Sequence, residues 1–175
     1  MSKLTLDAVH SSIDFQIKHM MVAKAKGSFT YFDVEFDGEL DDIENATVTV
    51  TIPVAAIDTG NEQRDGHLKS EDFFDPDNHP NLIFKSRKIE KISEEEYRIT
   101  GDFTMKGVTN EETFIVEYNG TSKSPMDGST VAGFDMEGKI NREAYNVTFN
   151  APLETGGVLL GSDVKFTGNF EFTVN

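Results

Sequence analysis

Few residues in this 175-residue chain have types and spacings that could do chemistry. Four imidazoles, His10, His19, His67 and His79, could ligate a metal or move protons. Their spacings match no ligand motif such as His-Glu-x-x-His, and structural histidines account for them more simply. Asp65 and His67 could serve as a base and its orienting group, but nothing near them supplies an evident nucleophile. The chain has no Cys, which excludes disulfides, thiolate metal sites and a cysteine nucleophile. Glycine-rich phosphate cradles and the Gly-x-Ser-x-Gly elbow are also missing. What remains is recognition. Arg64, His67, His19 and Arg142 are suited to hold an anionic head group, because a guanidinium pairs well with phosphate. A structural reading competes with this one, in which Arg64 and Asp65 form a local ion pair or cap. The expectation is no catalytic residue and no metal.

Strands must position these residues, because alternation dominates the chain. Val164, Phe166, Gly168, Phe170, Phe172 and Val174 share one parity, and Lys165, Thr167, Asn169, Glu171 and Thr173 the other. Successive side chains of a strand point to opposite faces, so this segment is a ribbon with one apolar face. The pattern recurs at Ile13, Phe15 and Ile17; at Phe32, Val34 and Phe36; and at Val48, Val50, Ile52 and Val54. It continues at Leu82 and Phe84; at Tyr97, Ile99, Phe103 and Met105; at Phe114, Val116 and Tyr118; and at Ala132, Phe134, Met136 and Ile140. Turn residues punctuate the runs at Asp37-Gly38, Lys106-Gly107, Asn119-Gly120, Asp127-Gly128 and Gly156-Gly157. The short spacings favour an antiparallel up-and-down order. No repeat or linker divides residues 1–175, so one all-β domain is expected. Residues 60–74 break the pattern: Asn61 or Gly60 could cap a short helix, which Gly66 weakens. This helix and the turn-rich loop after it should lean over one end of the curled sheet.

Charge narrows the partners. With 31 Asp and Glu against 16 Lys and Arg, the formal charge is −15. Such a surface repels nucleic acid and discourages adsorption on anionic membranes. Only short basic groupings occur, such as Lys85 to Lys91. No apolar run is long enough for a membrane span, and none resembles a secretory leader. The expected compartment is the cytoplasm if the chain is complete, and the periplasm or the extracellular space if a leader was removed.

One string is more specific. Arg64-Asp65-Gly66-His67-Leu68-Lys69-Ser70-Glu71-Asp72-Phe73-Phe74-Asp75, followed by His79-Pro80-Asn81-Leu82-Ile83-Phe84-Lys85-Ser86, closely resembles the signature of the YceI-like family. These are bacterial polyisoprenoid-binding, lipocalin-like proteins. Asp7 to Phe15, then His19 and Gly27-Ser28-Phe29, resemble the family's opening, and Tyr97 to Thr109 its central strand and turn. Asn141-Arg142-Glu143-Ala144-Tyr145-Asn146 keeps the family's basic and aromatic residues but has Asn146 where glycine is common. The resemblance implies an eight-stranded antiparallel lipocalin-like barrel around an elongated apolar ligand. That ligand would be an isoprenoid, such as a polyprenyl phosphate or a quinone tail, or a fatty chain. No other cofactor is implied. Family members often pair, so a homodimer joins the expected partners.

An eight-stranded barrel is just wide enough to fill with side chains or to hold one small ligand. Fourteen Phe and no Trp could do either; the resemblance implies a tunnel. Each buried CH₂ contributes about 0.8 kcal/mol, so several isoprene units would outweigh association costs of about 4–15 kcal/mol. Parity nominates the walls: Phe15, Ile17, Phe32, Phe36, Val50, Ile52, Phe84, Phe103, Phe114, Phe134, Met136, Phe166 and Phe170. His19, Arg64, His67 and Arg142 would stand at the polar end. The expected function is binding, storage or transport of a long apolar molecule. A barrel scaffold for stress-related protein interactions and a lipid-modifying enzyme are the alternatives.

Overall fold

The alternating runs become strands in the computed structural model, which describes residues 4–70, 73–148, 150, 153 and 159–175. Gly156-Gly157, and Glu71 and Asp72 of the family-like string, lie outside the described residues. In chain order the strands are β1 (Leu4–Leu6), β2 (Ser12–His19), β3 (Ala23–Phe29), β4 (Asp33–Asp37), β5 (Thr47–Pro53) and β6 (Ile57–Asp58). Helix α1 (Glu62–Leu68) follows, then β7 (Asn81–Lys91), β8 (Glu96–Met105), β9 (Val108–Lys123), β10 (Thr130–Asn141) and β11 (Leu160–Val174). All paired strands are antiparallel.

Among the described residues eleven strands replace the expected eight, for a local reason. Three ribbons are each broken in two. β1 and β2 flank a 3-10 turn at Ala8–His10, where Asp7 Oδ1 accepts from the Val9 and His10 N–H groups at 3.0 and 3.3 Å. β3 and β4 are separated at residues 30–32, where the Thr30 N–H donates to Ala56 C=O at 2.9 Å. β5 and β6 flank a 3-10 turn at Val54–Ala56, directly after Pro53, which has no N–H to continue a ladder. Read as ribbons, β1/β2, β3/β4, β5/β6 and β7 to β11 make eight. Every neighbouring pair is hydrogen-bonded, including β11 to β2 and β3 to β6, so the sheet curls into a barrel.

Two short motifs refine the reading of turns. Lys106 and Gly107 have φ of 51° and 77° and join β8 to β9 in a two-residue hairpin loop, as expected for such a turn. Asn119-Gly120 is a correction, because β9 runs straight through it. There the β9–β10 register slips between Ala132 and Phe134, and Gly120 has φ of 86°. The dipeptide is therefore a β-bulge, which needs the same left-handed backbone as a turn. Asn146 has φ of 62° at the end of the 3-10 turn Arg142–Tyr145. Asparagine is the non-glycine residue that best tolerates that region, so the departure from glycine costs the turn little.

Helix α1 starts where expected: Asn61 Oδ1 accepts from the Arg64 N–H at 3.0 Å. Tyr145 is fully buried, meets Phe103 edge-on at 5.6 Å and donates its hydroxyl to Glu112. Burial first, and Glu112 second, push its phenol far above the usual tyrosine range. Tyr145→Phe should therefore cost about 2 kcal/mol in urea unfolding, the range for a hydrogen bond to a charged group. A change within error would mean that the contact carries no stability. Among the described residues no helix is long and apolar enough to cross a membrane.

Candidate ligand-binding chambers

Among the described residues the inward parity of the ribbons lines two cavities. The first, about 100 Å³, has walls that are almost entirely apolar, including Phe84, Phe103, Phe114, Phe134 and Phe170. The second, about 240 Å³, lies against α1 and the residues after it, with Leu68, Phe73 and Phe74 among its walls. It exceeds the roughly 150 Å³ that suffices for benzene in an apolar cavity. Among the described residues Phe166 alone lines both. Its ring lies 6.4 Å from Phe15 and 6.2 Å from Phe103. Phe15 meets Phe29 at 5.4 Å. These rings form a partition across the barrel, so the expected continuous tunnel is two chambers. Aromatic rings at such separations attract one another beyond their burial, which explains why the bore closes there.

Phe36, Val50, Ile52, Phe84, Phe103, Phe114, Phe134, Met136 and Phe170 line the first chamber. Phe15 and Ile17 line the second. Phe32 is a correction. It lines neither chamber and meets Phe170 edge-on at 5.9 Å. It sits in the break between β3 and β4, where strand parity no longer sets direction. Sequence reasoning passed over Ile13, Val34, Leu82, Ile99 and Phe172 as walls, although they share parities with nominated residues. Val147 follows a 3-10 turn and carries no periodic signal.

The fold gathers all four polar candidates at the second chamber: His19 from β2, Arg64 and His67 from α1, and Arg142 from the turn after β10. Their bonding differs from expectation. Instead of an ion pair between them, Arg64 and Asp65 both bind Thr59. Arg64 donates Nε–H to Thr59 Oγ1 at 2.8 Å and Nη2–H to its carbonyl at 2.7 Å. Asp65 Oδ1 accepts from the Thr59 N–H at 2.9 Å and from its hydroxyl. His67 meets the edge of Phe73 at 4.9 Å. Arg142 is only 2% exposed and donates Nε–H to Gly161 C=O at 2.8 Å and Nη1–H to Val147 C=O at 2.7 Å. Burial draws its pKa below the usual guanidinium value, partly opposed by Glu143. It is a structural clamp bordering the chamber.

The four histidines are not brought together as a ligand set. Among the described residues the one cluster of metal-ligand types is Asp7, His10 and Glu171, outside the chambers. His10 Nδ1 lies 2.8 Å from Asp7 Oδ2 and 3.4 Å from Glu171 Oε2. The Asp7 hydrogen bond, then the two carboxylate charges, hold His10 above its ordinary 6.5, and His10 holds Asp7 below 3.8. The raised histidine adds stability fully present below 6.5 and lost as pH rises through its folded value. The lowered aspartate adds stability present above 3.8 and lost as pH falls through its folded value. His10→Ala should therefore lower the urea midpoint more at about pH 5.5 than at about pH 9. The pair is exposed, so the difference should be small and should shrink in salt. Equal losses at both pH values would assign the effect to something other than charge.

A family model described as YceI-like domain matches residues 4–172. A UPF0312 protein of Staphylococcus aureus (strain USA300) is 50% identical over 175 residues, covering 100% of this chain and 99% of that protein. Burkholderia cenocepacia BcnA superposes with a TM-score of 0.80 at 22% identity, over 95% of this chain and 99% of that one. A polyisoprenoid binding domain from Saccharophagus degradans, implicated in plant cell wall breakdown, matches with a TM-score of 0.68 at 10% identity, over 100% of both chains.

Proposed function

The chain belongs to the YceI-like family, and from that premise we propose that its chambers bind the tail of a single long apolar molecule, isoprenoid or fatty-chain. The observation that carries this reading is the second chamber: about 240 Å³, apolar through most of its wall, with His19, Arg64, His67 and Arg142 around it. The tail lies in this chamber and passes into the first when the Phe166 ring turns aside. Its head group stays on the side of Arg64 and His67, the two exposed members of the set. Hydrocarbon needs no hydrogen bonds along its length, so chamber length and width set selectivity. The polyisoprenoid binding domain that shares the fold supports an isoprenoid tail. The role is binding and carriage: the second chamber is walled mostly by apolar side chains, and Tyr145 beside the barrel core is held on Glu112.

Denaturing organic extraction of purified protein, followed by lipid mass spectrometry, tests the proposal. A stoichiometric long-chain molecule is the expected result. An empty extract, with no uptake of a fluorescent fatty acid by the emptied protein, would overturn it.

A further inference from the structure

The hairpin joining β2 to β3 is built against the usual rules. Val22 donates its N–H to His19 C=O at 3.3 Å, and the central residues Met20 and Met21 have φ of 53° and 65°. That backbone belongs to Asn-Gly or Asp-Gly, not to two methionines. The tip is also apolar and open to solvent: Met20 and Met21 are 48% exposed and Val22 is 90% exposed. The other large apolar residues exposed among those described, Val9, Tyr31, Ile92 and Met126, are isolated along the chain.

Lysines flank this tip on β2 and β3, while β11 carries Asp163 beside Val164, the partner of Ile17. Lys18 and Lys24 are direct cross-strand partners. One row further from the tip, Lys139 pairs with Lys165, Lys165 with Gln16, and Gln16 with Lys26. These positions alternate with the wall residues Phe15, Ile17, Ala25, Ile140 and Val164 and so share the outer face, and Lys26 also reaches the second chamber. Like charges directly opposite each other destabilise a sheet. Here they persist in a chain of net charge −15, which has carboxylates to spare. Among the described residues none of these lysines is held in an ion pair. The band also borders the second chamber, which His19 and Lys26 line. Met20 donates its N–H to Leu159 C=O at 2.7 Å, and Leu159 lines the same chamber.

We propose that this end of the barrel docks on an anionic lipid bilayer. Met20, Met21 and Val22 enter the head-group boundary, and the lysine band faces the lipid charge. The inference rests on the tail-binding reading, which it extends with a route: a hydrocarbon tail passes between bilayer and second chamber with little exposure to water. The strained, greasy tip is kept because Asn-Gly would make a better turn and a worse anchor. A second copy of the chain fits this face poorly, since two lysine bands would repel. The remaining acidic surface opposes docking only weakly, because salt screens charges beyond roughly 10 Å.

The test is co-sedimentation with vesicles of phosphatidylcholine, with and without phosphatidylglycerol, at low salt (about 0.1 M) and high salt (about 1 M). The protein should bind the phosphatidylglycerol vesicles at low salt and release at high salt. Lys18→Glu with Lys24→Glu should weaken binding at least twentyfold, since each lysine near an anionic surface contributes roughly fivefold. Met20→Asn with Met21→Gly should weaken it about tenfold or more, while raising the thermal midpoint by relieving the turn. Fluorescent fatty-acid uptake in vesicle-free buffer should be unchanged in both variants. No binding to phosphatidylglycerol vesicles at low salt, or equal binding by wild type and variants, overturns docking. So does loss of self-association in the tip variant without vesicle binding, which would make the tip a chain–chain contact. If uptake fails while vesicle binding persists, the tail-binding reading falls and the docking surface stands.

Discussion

Phe166→Ala is expected to lower stability by about 3–5 kcal/mol, the range for deleting a packed phenylalanine, and to lengthen the chains the protein accepts. The ring is 5% exposed, stands between Phe15 and Phe103, and alone among the described residues lines both chambers. Its removal opens the partition. In the wild type, affinity along a series of fatty acids should rise by up to about 0.8 kcal/mol per CH₂ and level off once the second chamber is full. In the variant the plateau should move to longer chains, because the first chamber becomes continuous with the second. Urea unfolding reads the first effect and displacement of a fluorescent fatty acid the second. A stability loss with an unmoved plateau would mean that tails never meet Phe166. Full stability would mean that the partition is not packed.

Arg142→Met is expected to cost about 3–5 kcal/mol and lower the thermal midpoint by roughly 10 °C. Arg142 ties β11 to the segment after the 3-10 turn through Gly161 C=O and Val147 C=O. Methionine fills comparable space but donates nothing, which leaves both carbonyls without these donors in a buried place. Arg142→Lys should recover only part of the loss, because an ammonium lacks the planar fork that reaches both carbonyls. Differential scanning calorimetry of the three proteins checks the order. If Arg142→Met melts like the wild type but no longer takes up the fluorescent fatty acid, Arg142 is a ligand contact and its assignment as a clamp is wrong.

Much of the fold was legible because a β-strand writes its burial into the sequence every second residue. Phe84, Phe103, Phe114, Phe134 and Phe166 could be placed inside by parity, and they line the first chamber. The helix start was legible to within one residue, Gly60 or Asn61, because capping is a local side-chain event, and Asn61 makes the cap. Asn119-Gly120 misled because a bulge and a hairpin turn ask for the same backbone, and only the partner strand tells them apart. Phe32 misled because the ribbon breaks before it, which parity cannot register. Arg64 and Asp65 are neighbours in sequence, yet Thr59 takes up both, since the chain before α1 turns back toward them.

Local chemistry thus sufficed for the strands, their inward faces, the helix and the family. Each depends on spacings of a few residues, at which the chain's stereochemistry is nearly fixed. The partition at Phe166, the clamp at Arg142 and the lysine band beside the methionine tip were decided only by the folded barrel. They join Phe15 to Phe166, Arg142 to Gly161 and Lys139 to Lys165, residues separated by long stretches of chain. Which of them meet is set by ribbon register and by where each ribbon breaks, and no periodicity along a single strand encodes that.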